Sequence, residues 1–182
     1  MEKPGFFNDI SPGKPDRGEI LLILLAFLVI LSLANNLDTG APEGDWRNTE
    51  LEDVRTGENF SISELDKPLL LESFAVWCPT CTRQQQEMGR IHRSTNVTSV
   101  SIDVDPNEEA SQVRNHIEKN VFDWRYAIAP PEMTSLLARD FGNTVLNPPS
   151  APVILVCEED SRQLDRGVKN KQELESEIRE GC

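Results

Sequence analysis

The chain has 182 residues, room for one domain and an appendage, and 31 acidic against 18 basic residues give it a net charge of −13. That balance argues against nucleic-acid binding, which needs basic patches. Four cysteines are too few for a disulfide-stapled scaffold, and a domain of this length does not need one.

Residues 1–19 form a polar leader containing Pro4, Pro12 and Pro15. Ile20 to Ala34 is uncharged and apolar, and reading on through Leu37 reaches the lower end of bilayer-spanning length. No polar face interrupts the run, which argues against a buried core helix. Two readings compete: a transmembrane anchor over 20–37, or a signal peptide cleaved at Ser32-Leu33-Ala34. The leader is long and mixed in charge, unlike a short basic n-region, and this favours the anchor. Lys14 and Arg17 precede the run closely, whereas the first base after it is Arg47. The positive-inside rule then places the N-terminus in the cytoplasm and the remainder outside the cell membrane. The sequons at Asn59 and Asn96 are compatible with an exterior location but are short enough to arise by chance.

Residues 38–48 read as an acidic linker, with Trp46 seated either at the membrane interface or on the domain edge. The domain proper is 49–182. Leu51 to Leu65 predicts an entry hairpin, turning at Thr56-Gly57-Glu58-Asn59 with Phe60 and Ile62 inward. Asp66-Lys67-Pro68 then breaks the chain before the apolar strand that starts at Leu69-Leu70-Leu71. That strand ends in Trp77-Cys78-Pro79-Thr80-Cys81, followed by a helix-favouring segment, Thr82 to Arg93.

Strand, tight turn and helix in this order put Cys78 at a helix N-terminus, where unpaired N–H groups and the helix dipole favour thiolate. Pro79 suits the first helical position, and Cys81, three residues on, shares the face of Cys78 and lies within disulfide reach. The chemistry is thiol–disulfide exchange, with Cys78 attacking and Cys81 resolving. A structural zinc site uses the same spacing, but no second Cys pair accompanies it and His92 and His116 stand apart. No metal and no cofactor is expected.

The motif on its strand resembles the thioredoxin superfamily, and the chain from about Leu51 onward is similar to the membrane-anchored disulfide reductases of the TlpA and ResA group. The resemblance implies an α/β thioredoxin-like fold, a central mixed sheet flanked by helices. It implies a reductase fed by a membrane thiol donor, acting on exported proteins with disulfides or thiols. A disulfide-forming oxidant on the same fold is the alternative, and a docking or metal-binding module is the alternative from another class. A peroxidase of the peroxiredoxin kind wants Thr at position 75, which is Ala.

Glu72 lies in so apolar a segment that desolvation should raise its pKa. It sits six residues before Cys78, where thioredoxins carry a buried Asp, so the resemblance implies a proton relay to Cys81. A strand-edge Glu facing solvent is the bland reading.

Val97 to Val104 predicts a second core strand, and Asp105-Pro106-Asn107-Glu108 an N-cap, N1 proline and N3 acid for a helix running to about Asn120. Trp124 to Ala129 predicts a strand, and Pro130 or Pro131 starts a helix with Leu136, Leu137 and Phe141 on one face and Gly142 at its end. Alternating strands and helices mean a sheet with parallel strands. Pro152 precedes the strand Val153 to Cys157. The resemblance implies that Pro152 is cis beside the disulfide, that Ala151 offers its backbone to an extended substrate, and that Trp77 lines the docking surface. Gln163 to Val168 predicts an edge strand, and Asn170 with Glu173 caps a last helix from Lys171. Cys157 reads as a small buried hydrophobe and Cys182 as mobile, with a bridge between them as the other reading.

Overall fold

The computed structural model describes Gly18, Ile20, Leu22, Ala26, Phe27 and residues 43–182. The chain divides into two units, Met1–Ala41 and Pro42–Cys182. In the first, the five described residues are helical and exposed, and among the described residues no helix is long and apolar enough to cross a membrane. The rest of the leader, most of the expected anchor and the start of the linker lie outside the described residues.

The second unit is built on β3, Leu69–Phe74, six residues buried without exception. Its neighbours on one side are β4 (Thr98–Asp103) and then β5 (Arg125–Ile128), both parallel. On the other side lies β6 (Val153–Val156), antiparallel to β3, and then β7 (Ser161–Gln163), antiparallel to β6, so the order is β5-β4-β3-β6-β7. Strand alternation sorts the leucines of β3 onto two faces. Leu70 and Phe74 join one apolar cluster with Cys78, Cys81, Met88, Val113 and Leu174, while Leu69 and Leu71 join the other with Trp46, Ile62, Met133 and Leu136. Helices α1 (Pro79–His92), α2 (Ala110–Asn120) and α4 (Lys171–Gly181) cover the first face, and α3 (Pro131–Phe141) covers the second. Each leucine sealed this way contributes about 1.5–3 kcal/mol, and a strand covered on both faces needs no polar side. The one carboxylate in it therefore stands out.

The entry hairpin forms as β1 (Leu51–Glu52) against β2 (Asn59–Phe60), with Gly57 at φ 75° in its turn. Trp46 is fully buried in a short 3-10 turn and meets Phe141 edge-on at 5.8 Å, so it belongs to the domain edge. Gly142, at φ 77°, ends α3, and the Asn170–Glu173 capping box starts α4, both as the sequence predicts.

Three local expectations are corrected. Helix α2 starts at Ala110, because the Asp105 carboxylate is taken by the Asn107 N–H and by Trp77; Glu109 and Gln112 cap the helix instead. The edge strand is Ser161–Gln163, since Asp165 to Gly167 turn the chain toward α4, with Gly167 at φ 100°. Cys157 is paired with Cys182, which ties the chain after β6 to the end of α4.

Candidate active site

Cys78 is the N-cap of α1, with Pro79 in the first turn. Its Sγ accepts the Cys81 N–H at 3.1 Å, one of the amides that a helix start leaves unpaired. Hydrogen bonding and the helix dipole both favour negative charge on that sulfur, which depresses a thiol's pKa. Cys78 and Cys81 are bonded to each other, with Cα atoms 5.3 Å apart. Cys81 is fully buried and its Sγ lies 3.1 Å from the Pro148 carbonyl, the acceptor for its proton once reduced. Trp77 beside them is 57% exposed. Both cysteines are thus buried, Cys78 at 1% exposure as the sulfur that accepts the amide of its own helix, and they lie next to an exposed aromatic ring.

The loop before Cys78 is braced by acids from the segment after β4. Glu108 accepts the Val76 N–H at 2.7 Å, and Asp105 accepts the Trp77 indole N–H at 2.7 Å. Asp103, at the end of β4, is buried, and its carboxyl is pushed up to about 8 by desolvation. The neighbouring Glu108 and Asp105 charges reinforce that rise.

Glu72 is fully buried on β3, on the face shared by Leu70 and Phe74 and hence by the cysteines. The solvent-facing reading is excluded. Desolvation pushes its carboxyl up to about 8, against the opposing pull of Ser101, Gln85 and Lys169. Ser101, opposite it on β4, donates to Oε2 at 2.7 Å.

Lys169, just before α4, is buried too, and desolvation lowers its ammonium to about 8 while the Glu72 charge raises it. Its Nζ donates to the Ala151 carbonyl at 2.6 Å and to the Asp165 carbonyl at 3.1 Å. Its backbone N–H and carbonyl are both held by the Gln84 amide of α1.

The loop before β6 departs from expectation. Among the described residues the cis peptide bond is Lys67–Pro68, and Ala151–Pro152 is trans. A 3-10 turn over Pro148–Ser150, followed by Ala151 in the left-handed region at φ 48°, brings the chain round to β6. Ala151 is fully buried; its N–H goes to Pro148 at 2.8 Å and its carbonyl to Lys169. The Pro152 carbonyl is spent on the Ser73 N–H. The backbone expected to meet a substrate is therefore occupied within the domain, and Pro148 is the residue that touches Cys81.

Lys169, Gln84, Gln85, His116, Asp103 and Glu108 carry much of this environment, and sequence reasoning missed them as site residues. From the sequence Glu108 reads as the N3 acid of a helix cap. Gln84 and Gln85 lie three and four residues after Cys81, which puts them on or near its helix face, and that was the one signal for them. Among the described residues no group of three or more His, Cys, Asp or Glu side chains could hold a metal ion.

No protein-family model and no curated protein matches the chain. Solved structures do. A thioredoxin-related protein from Neisseria meningitidis serogroup B superposes with a TM-score of 0.59 at 16% identity, covering 71% of this chain and 96% of its own. A secreted Mycobacterium tuberculosis disulfide oxidoreductase homologous to E. coli DsbE gives 0.56 at 15%, over 74% and 97% of the two chains. A thio-disulfide isomerase from Thermus thermophilus gives 0.57 at 19%, over 79% and 96%. The domain of this chain has the thioredoxin-like fold.

Proposed function

We propose that the chain is a protein thiol–disulfide oxidoreductase, held to the cell membrane by residues 20–37 with its domain outside, that reduces disulfides in exported proteins. The observation that carries the redox reading is the Cys78–Cys81 pair at the start of α1, with Cys78 Sγ accepting the Cys81 N–H. The Cys78 thiolate attacks a substrate disulfide, forming a mixed disulfide and expelling one substrate thiolate. The Cys81 thiolate then attacks Cys78 Sγ, releasing the second substrate thiolate and closing Cys78–Cys81. Two electrons have left the protein, and a membrane thiol donor restores them. Glu72, whose carboxyl titrates near 8, takes up the Cys81 proton in that second step when it is in its carboxylate form, and gives that proton back when the pair is reduced again. Trp77 offers the apolar contact beside the sulfurs. The helical, exposed Ile20, Leu22 and Phe27 support the anchor, and the Lys14 and Arg17 flank supports the orientation.

The test is the redox state of Cys78–Cys81 in the full chain across a dithiol buffer series, read by alkylation and mass shift. A midpoint around −250 mV or lower supports a reductase, and one near −120 mV makes the protein an oxidant. Absence of any reversible two-electron transition between those limits overturns the redox reading.

A further inference from the structure

Buried beside Glu72 is a line of polar groups that disulfide exchange does not itself require. It begins on α2, where the Asn120 side-chain amide donates to the His116 carbonyl at 2.8 Å and approaches Nδ1 of the same imidazole at 3.5 Å. His116 Nε2 lies 2.7 Å from Gln85 Oε1. A carbonyl oxygen only accepts, so the imidazole carries its proton on Nε2 and leaves Nδ1 free to accept. Phe74 stacks on the ring at 5.7 Å and Phe122 lies at 5.8 Å, which fixes its orientation. Burial lowers the pKa of His116, with Glu108 and Lys119 as the charges acting on it in opposite senses.

With its oxygen committed to His116, the Gln85 amide keeps Nε2 as its remaining donor. Gln85 Nε2 and Glu72 Oε1 are both buried without a hydrogen-bond partner, and Gln85 is among the groups that pull the Glu72 pKa down against its burial. The other groups acting on Glu72 are Ser101 on β4, Lys169 before α4 and Tyr126 on β5. Donors and acceptors thus run one way from Asn120 through His116 to Gln85, and the amide N–H that remains on Gln85 and the free oxygen of Glu72 are both buried and unpartnered.

We propose that Gln85, oriented by His116, is a positioning residue that aims an N–H donor at Glu72 and favours the carboxylate required for proton exchange with Cys81. The proposal rests on the redox reading above for its purpose, but not for its geometry. The outer end of the line opens on a groove of about 530 Å³ beside Trp77, which His116 and Asn120 help to line. The helix between β4 and β5 therefore has a direct bearing on the charge at the active site.

The experiment is a carbon-13 carboxyl titration of Glu72 in the reduced full chain, for the native protein and for Gln85→Leu, His116→Leu and His116→Gln. Gln85→Leu and His116→Leu are expected to raise the Glu72 midpoint by about one pH unit, the worth of one hydrogen bond to a charged group. His116→Gln keeps an N–H for Gln85 Oε1 and is expected to restore the native value. An unchanged or lowered midpoint in Gln85→Leu overturns the proposal, because a lowered one means that the amide oxygen faces Glu72. A raised midpoint in Gln85→Leu with none in His116→Leu overturns the part assigned to His116. The dithiol titration of the same samples separates the two claims: shifted Glu72 midpoints in a chain with no reversible Cys78–Cys81 transition sink the redox reading and leave the geometry standing.

Discussion

Glu72 and Ser101 face each other across the parallel pair β3 and β4, and the serine hydroxyl that donates to the carboxylate at 2.7 Å also accepts the Trp124 indole N–H at 3.0 Å. One hydroxyl thereby satisfies half of a buried carboxyl, and the other oxygen stays without a partner. The balance leaves the carboxyl costly to ionise.

That cost sets a pH dependence of stability. The unfolded chain loses the Glu72 proton near its ordinary 4.5, whereas the folded chain keeps it to about 8. Between those values the folded state binds the extra proton, so stability declines as pH rises through the window, by on the order of a few kcal/mol. Glu72→Gln removes the titrating group. Its urea midpoint is expected to match the native protein near pH 5 and exceed it near pH 8.5. Parallel curves for the two proteins at both pH values would show that Glu72 is not the group responsible.

Lys169→Met removes the cation that lowers the Glu72 pKa and strips a donor from the Ala151 and Asp165 carbonyls. The Glu72 midpoint is expected to rise further, and disulfide exchange at pH 7 to slow. Lys169→Arg retains the charge and is expected to fall between the two. A carboxyl titration that leaves Glu72 unmoved in the Met variant would place the ammonium outside its electrostatic reach.

The strand-and-helix order of the domain was legible because each core element carries its own pattern. Leu69–Phe74 is an apolar run, Val97–Val104 alternates, and Asn170 with Glu173 spells a capping box. Glu72 was legible for the same reason, as a charge inside an apolar strand. The environment around it was not, because Gln85 and His116 are ordinary polar residues in polar helical segments and Lys169 is an ordinary lysine in the loop before α4. Only the sheet order brings three helices over one face. Asp105 misled as an N-cap, since its carboxylate had two calls on it and Trp77, distant in sequence, took one oxygen. Pro152 misled in a related way: its loop reaches β6 through Ala151 at positive φ, a turn that alanine rarely signals.

The Asp105 contact is testable through Trp77. Asp105→Ala leaves the indole N–H without its acceptor at a half-exposed position, so the stability loss is expected to stay within about 1 kcal/mol. Freed from its tie, the ring is expected to raise KM for a protein disulfide more than it lowers kcat. Asp105→Asn keeps an acceptor oxygen and is expected to restore KM. Equal losses in KM and kcat that Asn does not rescue would point to general disruption of the loop.

The second disulfide makes a separable prediction. Cys157 and Cys182 are 25 residues apart, and a loop of that size contributes about 3 kcal/mol when closed, by restricting the unfolded chain. Replacing both with Ser is expected to lower unfolding stability by that order in urea. Helix α4 keeps its Asn170 cap and its buried Leu174, so the site beneath α1 is expected to stay assembled. The Cys78–Cys81 midpoint in a dithiol series should then match the native chain. A shifted midpoint would mean that the end of α4 reaches the active site through Lys169 and Gln84, and that the bridge does more than restrain the unfolded chain.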